Sequence, residues 1–303
     1  MAAVIKESRS DRIFLLLNYV YLAIALICVL YPLVYIVSAS ISSPTYVNSG
    51  EMWLFPKGIT FEGYQRVFEN QSIWQGYANT ILYTVVGTLV NLLVTIPAAY
   101  ALSRSDFVGR GFFMAMFLVT MFFSGGLIPT YLLVKNLGLV NTMWALILPG
   151  AASVWNIIVA RTFFQSTIPK ELQEAAHIDG CTNLRLFWKI VIPLSAPIIA
   201  VMALFYGVGH WNSYFNALVY LNDESKYPLQ MVLRQILVLQ EMTGSGIGAA
   251  TSGEAAMAMN QRADSAALLK YAVIIVSTLP IIAVYPFLQR YFVQGVMIGS
   301  VKG

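Results

Sequence analysis

The sequence predicts an all-α integral membrane protein with six transmembrane helices, and three observations carry that expectation. Hydrophobic residues make up 58% of the 303 positions, charged residues only 11%, and mean hydropathy is +0.70. The apolar residues fall into blocks separated by short polar stretches, each block about the 20 residues that a helix needs to cross a hydrocarbon core. A soluble domain carries about 25% charged residues, and a chain with so few cannot cover a water-facing surface. A soluble enzyme, a disordered chain and a nucleic-acid binder are excluded on that ground. A transmembrane β-barrel would need segments of about ten residues with strict alternation, and none are present. Helix is the remaining choice, because backbone groups facing lipid must bond within their own segment.

The predicted spans are 14–37, 76–102, 111–134, 142–164, 191–220 and 268–293, in one transmembrane domain covering 1–303. The first is too long for a signal peptide and no small-residue cleavage site follows it, so it reads as retained. The positive-inside bias orients the chain. With the N-terminus in the cytoplasm, that side carries Lys6, Arg9, Arg12, Arg104, Arg110, Arg161, Lys170, Arg185, Lys189, Arg290 and Lys302, eleven of the 18 basic residues. Acidic residues run the other way, eight of 14 outside. Both termini are therefore expected in the cytoplasm. Cys28 lies in the first span and Cys181 in a cytoplasmic loop, which makes a disulfide between them implausible.

Two outer loops are long, 38–75 and 221–267. Loops of that length imply a docking surface for something extracellular. The run Gly244-Ser245-Gly246-Ile247-Gly248 lacks the Lys-Ser/Thr of a phosphate cradle and reads as a flexible loop. No Asp, Glu, Lys or Arg lies near the middle of any span. Ion-coupled carriers bury carboxylates to bind the coupling ion, so an ion-driven carrier is disfavoured. Uncharged polar residues are plentiful instead. Thr80, Thr84, Gly87, Thr88, Asn91 and Thr95 share one face of the second span. Such a stripe reads as helix packing, although Thr84 and Asn91 are also candidates for lining a solute route. The fourth span offers Ser153, Trp155 and Asn156. The fifth carries His210, Trp211, Asn212, Ser213, Tyr214 and Asn216, a mix of aromatic faces and amides suited to a polyhydroxylated solute. His210 by itself reads as a satisfied interior donor rather than a catalytic base. Ser213 beside His210 is the only nucleophile-and-base pair in a span, too little for an intramembrane enzyme. No catalytic residue and no metal ligand is expected.

The cytoplasmic loop 166–192 decides the reading. It predicts a short helix capped by Ser166 or Thr167, with Pro169 in the first turn, Glu171 at the positive end and Gly180 closing it. Leu172, Ala175, Ala176 and Ile178 give it an apolar side, while Glu174 and Asp179 are placed to pair with partner cations. A second amphipathic stretch follows, with Leu184, Phe187, Trp188 and Ile190.

The order Glu174-Ala175-Ala176, three residues, Gly180, nine residues, Ile190-Val191-Ile192-Pro193 resembles the EAA signature of ABC-importer permeases. Ile192 stands where that family has Leu. Further residues are similar to the maltose-type, binding-protein-dependent carbohydrate permeases. They include Ile128-Pro129-Thr130-Tyr131, Leu137-Gly138-Leu139, Asn141-Thr142, Leu194-Ser195-Ala196-Pro197, Gln289-Arg290-Tyr291-Phe292-Val293-Gln294-Gly295 and Gly299-Ser300-Val301-Lys302-Gly303. Phe122-Phe123-Ser124-Gly125-Gly126-Leu127 looks like the sub-branch for polysaccharide-derived saccharides. The resemblance spans roughly residues 70–303. It implies a type I ABC importer permease architecture, in which Glu174, Ala175, Ala176, Asp179 and Gly180 belong to a coupling helix seated in an ATPase cleft. It also implies a second, related permease subunit, two ATPase subunits that hold ATP and Mg, and an extracellular or periplasmic sugar-binding protein. The chain itself would bind no cofactor and hydrolyse nothing. The loop 221–267 would probe the binding protein, and the tail from Gly295 would contact the ATPase. The alternatives are an ABC permease for amino acids or another small solute, and an ion-coupled secondary carrier.

Overall fold

A computed structural model describes residues 8–244, 269–284 and 286, and among these every regular element is helical. The Gly-rich run after Gly244, most of the outer loop's second half, the end of the sixth predicted span and the C-terminal tail lie outside them. The chain forms two compact units, one from 1–70 with 235–277 and one from 71–234 with 278–303.

In the first unit, α1 (Arg9–Ser40) covers the first predicted span. Ser8 and Asp11 close a reciprocal capping box at its start. Its apolar side chains stay exposed almost to its end, as befits a helix whose solvent is lipid. Hydroxyls at that end gather the following loop. Ser38 Oγ donates to the Leu54 carbonyl at 2.6 Å, and Ser42 Oγ accepts from the Lys57 amide at 3.2 Å. The predicted outer loop 38–75 thus holds two short helices, α2 (Pro44–Asn48) and α3 (Glu62–Glu69). Tyr35 of α1 meets Tyr271 edge-on, ring centres 6.1 Å apart.

The second unit is organised by α4 (Gln71–Ser103), a 33-residue helix about 50 Å long. The three spans that follow are broken, which corrects the expectation of continuous helices. Span three is α5 (Arg110–Phe122) and α6 (Leu127–Asn136), set at 112°. The break falls at Ser124-Gly125-Gly126, where Gly126 takes φ +85°, a conformation that side chains with a Cβ resist. Span four is α7 (Met143–Ile147), one 3₁₀ turn at Leu148–Gly150, then α8 (Val154–Thr167), bent by 52°. The fifth span starts later than its hydropathy. After the short helix α9 (Lys170–Ile178) come α10 (Asn183–Leu186), a π-helical turn over Phe187–Val191 and α11 (Ile192–Leu194). The chain then turns 78° into α12 (Ala196–Trp211). Pro193 deletes a helical N–H, and the widened turn before it relieves its ring clash, while Pro197 sits in the first turn of α12, where no N–H bond is lost. Ser195, fully buried, returns its Oγ to the Val191 carbonyl at 2.6 Å.

The segment ends with α13 (Phe215–Tyr220) and α14 (Leu229–Gly244), the latter inside the predicted outer loop 221–267. The sixth predicted span is helical over Leu269–Val284, here α15. Among the described residues, α1 and α4 are long and apolar enough to cross a membrane unaided, and counting each bent pair as one span brings the candidates to five, against the six expected.

Candidate functional site

Two places in the second unit collect the predicted residues. The first is the seam between α4 and α12. Asn91, with no exposed surface, donates from Nδ2 to the Gly150 and Ala151 carbonyls at 2.7 and 2.9 Å. Its Oδ1 lies 2.7 Å from His210 Nε2. Since both amide hydrogens go to carbonyls, Oδ1 is the acceptor and His210 carries its proton on Nε2. The carbonyls belong to the break in span four, so one side chain satisfies the groups that the broken helix frees. One turn further along α4, the Thr95 and Tyr206 hydroxyls meet at 2.6 Å, and Tyr206 OH accepts from the Ser153 amide at 3.3 Å. Gly87 makes the approach possible, because a Cβ there would sit 2.5 Å from His210 Nε2.

The predicted fifth-span cluster therefore divides. His210 and Trp211 pack inward, Trp211 edge-on to Tyr77 at 6.2 Å. Asn212, Tyr214 and Asn216 stand exposed around the gap between α12 and α13. Trp155, 60% exposed, opens α8, whereas Asn156 beside it is buried. Thr84 borders a groove of about 380 Å³ with Ile81, Gly207, Trp211, Pro280 and Val284. The groove's wall is apolar, so a polyhydroxylated solute would lose water there for nothing in return. The hydroxyls of Thr84 and Thr88 are buried with no hydrogen-bond partner among the described residues. Near its N-terminal end, α4 also holds the start of loop 221–267. Asn79 Nδ2 donates to the Ser225 and Tyr227 carbonyls at 2.8 and 3.0 Å, Tyr83 OH to that of Lys226 at 2.9 Å, and Thr80 Oγ1 accepts from the Leu229 amide at 2.8 Å.

The second place is α9. Pro169 is its N-cap, and Ser166 and Thr167 end α8 instead, so the expected side-chain cap is absent. A proline in extended conformation starts the helix without needing an N–H. The C-terminus matches its expectation. Gly180 takes φ +71°, its amide donates to the His177 carbonyl at 3.0 Å, and the Cys181 amide to that of Ala176 at 2.9 Å. These two bonds make a Schellman motif, which a left-handed glycine permits. Ala176 packs inward with Leu172, Leu186 and Phe187. Glu174, Ala175 and Asp179 remain exposed, and Ile178 is 87% exposed. Leu184 and Trp188 are also exposed. One face of α9 is anchored, and the other presents carboxylates beside bare apolar surface.

This arrangement coincides with a sequence match to the family described as the binding-protein-dependent transport system inner membrane component, over residues 71–298. The chain belongs to this family. The match begins where the second structural unit begins, and it makes the permease an inner-membrane component. Among its relatives, Protein LplC of Bacillus subtilis (strain 168) is 43% identical over 297 residues, 98% of this chain and 97% of that one. The polygalacturonan/rhamnogalacturonan transport system permease YtcP of the same organism is 42% identical over 294 residues, 97% and 99% of the two chains. A chain in the crystal structure of a bacterial ABC transporter involved in import of the acidic polysaccharide alginate superposes with a TM-score of 0.84. It is 39% identical, with 95% of the permease and all of that chain covered.

Sequence reasoning passed over Arg104, Tyr206 and Asn183. Each bonds to a residue far away in the chain, and only the Arg-Ser-Asp run 104–106 at the end of an apolar helix hinted at one of them.

Proposed function

We propose that the permease is a membrane subunit of an ATP-driven importer, and that its solute is an oligosaccharide released from a polysaccharide and delivered by an extracellular sugar-binding protein. The observation that carries the reading is α9. A helix anchored through Ala176, ended by Gly180, and offering Glu174, Ala175, Ile178 and Asp179 to a partner is suited to a cleft in a separate ATPase subunit. That partner supplies ATP and Mg, and two such ATPases with a second, related permease complete the assembly. Drawing the coupling helices together would tilt the spans as bodies and switch access from one side to the other. The orientation with both termini in the cytoplasm follows from the positive-inside bias and puts α9 on the ATPase side.

The solute class rests on the kinship with YtcP, named for polygalacturonan and rhamnogalacturonan, and with the importer of the acidic polysaccharide alginate. In this reading Trp155, Asn212, Tyr214 and Asn216 line the route, offering aromatic faces and amides to sugar hydroxyls. Asn91 and His210 hold its wall. The experiment purifies the permease with its ATPase and follows ATP-dependent uptake of a uronide oligosaccharide into proteoliposomes. Replacing Glu174 or Gly180 should abolish uptake while leaving the protein in the membrane. Full uptake by both variants would remove the coupling assignment.

A further inference from the structure

The cytoplasmic end of α4 meets the coupling loop through one side chain. Arg104 follows α4 directly, and its side chain is only 10% exposed. Its Nε donates to Asp106 Oδ1 at 2.7 Å and its Nη2 to Oδ2 at 2.5 Å. Nη1 donates to Tyr100 OH at 3.2 Å and to Asn183 Oδ1 at 3.1 Å, and Nη2 lies 3.5 Å from His177 Nε2. His177 belongs to the last turn of α9 and Asn183 opens α10. One guanidinium thus touches the chain on both sides of the turn at Gly180. Arg110 Nη1 donates to the Arg104 carbonyl at 3.3 Å and Arg161 Nε to that of Leu102 at 3.0 Å, which ties off the end of α4 around it.

The same helix carries Thr95 and Asn91 further along, bonded to Tyr206 and His210 of α12. The body of α4 therefore joins the contacts of the α9–α10 loop to those of the interior seam. We propose that Arg104 is a positioning residue that carries displacement of the α9–α10 loop into α4, and so couples ATP hydrolysis to movement of the spans. This rests on the reading of the chain as an importer permease. Arginine is required because its rigid fork holds Asp106 with two donors while a third reaches Asn183. Lysine keeps the charge but has no fixed fork and cannot hold both at once. Asp106 serves as the brace that aims the guanidinium.

The test uses the complete complex in proteoliposomes, with the sugar-loaded binding protein outside and ATP supplied to the ATPases. Sugar moved and ATP hydrolysed are measured together. Arg104→Lys is expected to assemble and to hydrolyse ATP at the wild-type rate, while sugar moved per ATP falls about tenfold, a magnitude ordinary for coupling between sites. Asn183→Leu should lower the ratio in the same direction. In a background of Cys28→Ser and Cys181→Ser, the pair Arg104→Cys and Asn183→Cys should be uncoupled until a short bismaleimide bridges the two positions. The bridge should then restore the ratio. A wild-type ratio in Arg104→Lys would overturn the proposal, and so would loss of assembly, which would make Arg104 a purely structural residue. Failure of the importer reading itself has a separate signature, the absence of ATP-dependent uptake by the wild-type complex.

Discussion

The seam between α4 and α12 and the short helix α9 use polar residues to opposite ends. In the seam, Asn91, His210, Thr95 and Tyr206 consume one another's donors and acceptors. These residues are buried or nearly so, and a buried polar group left unpaired costs its desolvation. On α9, Glu174 and Asp179 stay exposed and water satisfies them at no structural cost. The bonded residues of the seam stabilise the permease but have little left for a ligand. An open face contributes little to stability and keeps its bonding capacity for a partner. Stability and transport should therefore respond to different residues.

The largest loss of stability is expected from Asn91→Leu. It strands two carbonyls and the His210 N–H, and should cost about 2–3 kcal/mol, since buried unsatisfied groups cost about 1–3 kcal/mol each and neighbouring polar groups recover part of that in a membrane. Thermal melting of the purified protein in detergent measures it; an unchanged melting temperature would show the seam to be far wetter than its geometry. Gly87→Ala should follow at about 1.5 kcal/mol, because its Cβ would meet the His210 ring at 2.5 Å and overpacking costs about 1–3 kcal/mol. The same melting experiment should show this loss relieved when His210→Ala is added. Gly180→Ala forces a Cβ into a left-handed conformation and should cost about 1 kcal/mol, yet remove transport almost wholly. Glu174→Gln should leave stability within about 0.5 kcal/mol of wild type, as exposed substitutions do, and show its effect only in uptake. A large drop in melting temperature there would break the division between the two regions.

The smallest effect concerns pH. The hydrogen bond from Arg104 holds the Asp106 carboxyl below the usual carboxylate range. A group depressed in the folded state contributes above its unfolded value, about 4, and loses that contribution as pH falls through the folded value. Sugar moved per ATP should therefore stay flat from about pH 5 to 8 as far as Asp106 is concerned. A decline within that range that is abolished by Asp106→Asn would show the brace to be weaker than its geometry.

Much of this was legible in the residues alone. Hydropathy located α1 and α4, and the left-handed glycine at position 180 was readable because a helix end depends on a few adjacent residues. The breaks in spans three to five were not anticipated, although Ser124-Gly125-Gly126, Pro149-Gly150 and the prolines 193 and 197 stood in plain view. Hydropathy averages over such signals, because a few small or cyclic residues barely lower the mean of a long apolar window. The cap of α9 was misplaced because Ser166 and Thr167 are good caps wherever a helix starts, and here α8 had not yet ended.

The sequence by itself determined that the chain lives in a membrane, roughly which segments are apolar enough to cross it, and that a short helix with carboxylates on it stands between two of them. Those are properties of contiguous residues, set by transfer from water to lipid and by local backbone geometry. Only the tertiary structure decided which polar residues are closed and which are open. His210 finds Asn91 across 119 positions and Arg104 finds Asn183 across 79. A polar side chain at depth takes whatever partner the packing of distant helices brings within 3 Å or so, and no local pattern encodes that distance.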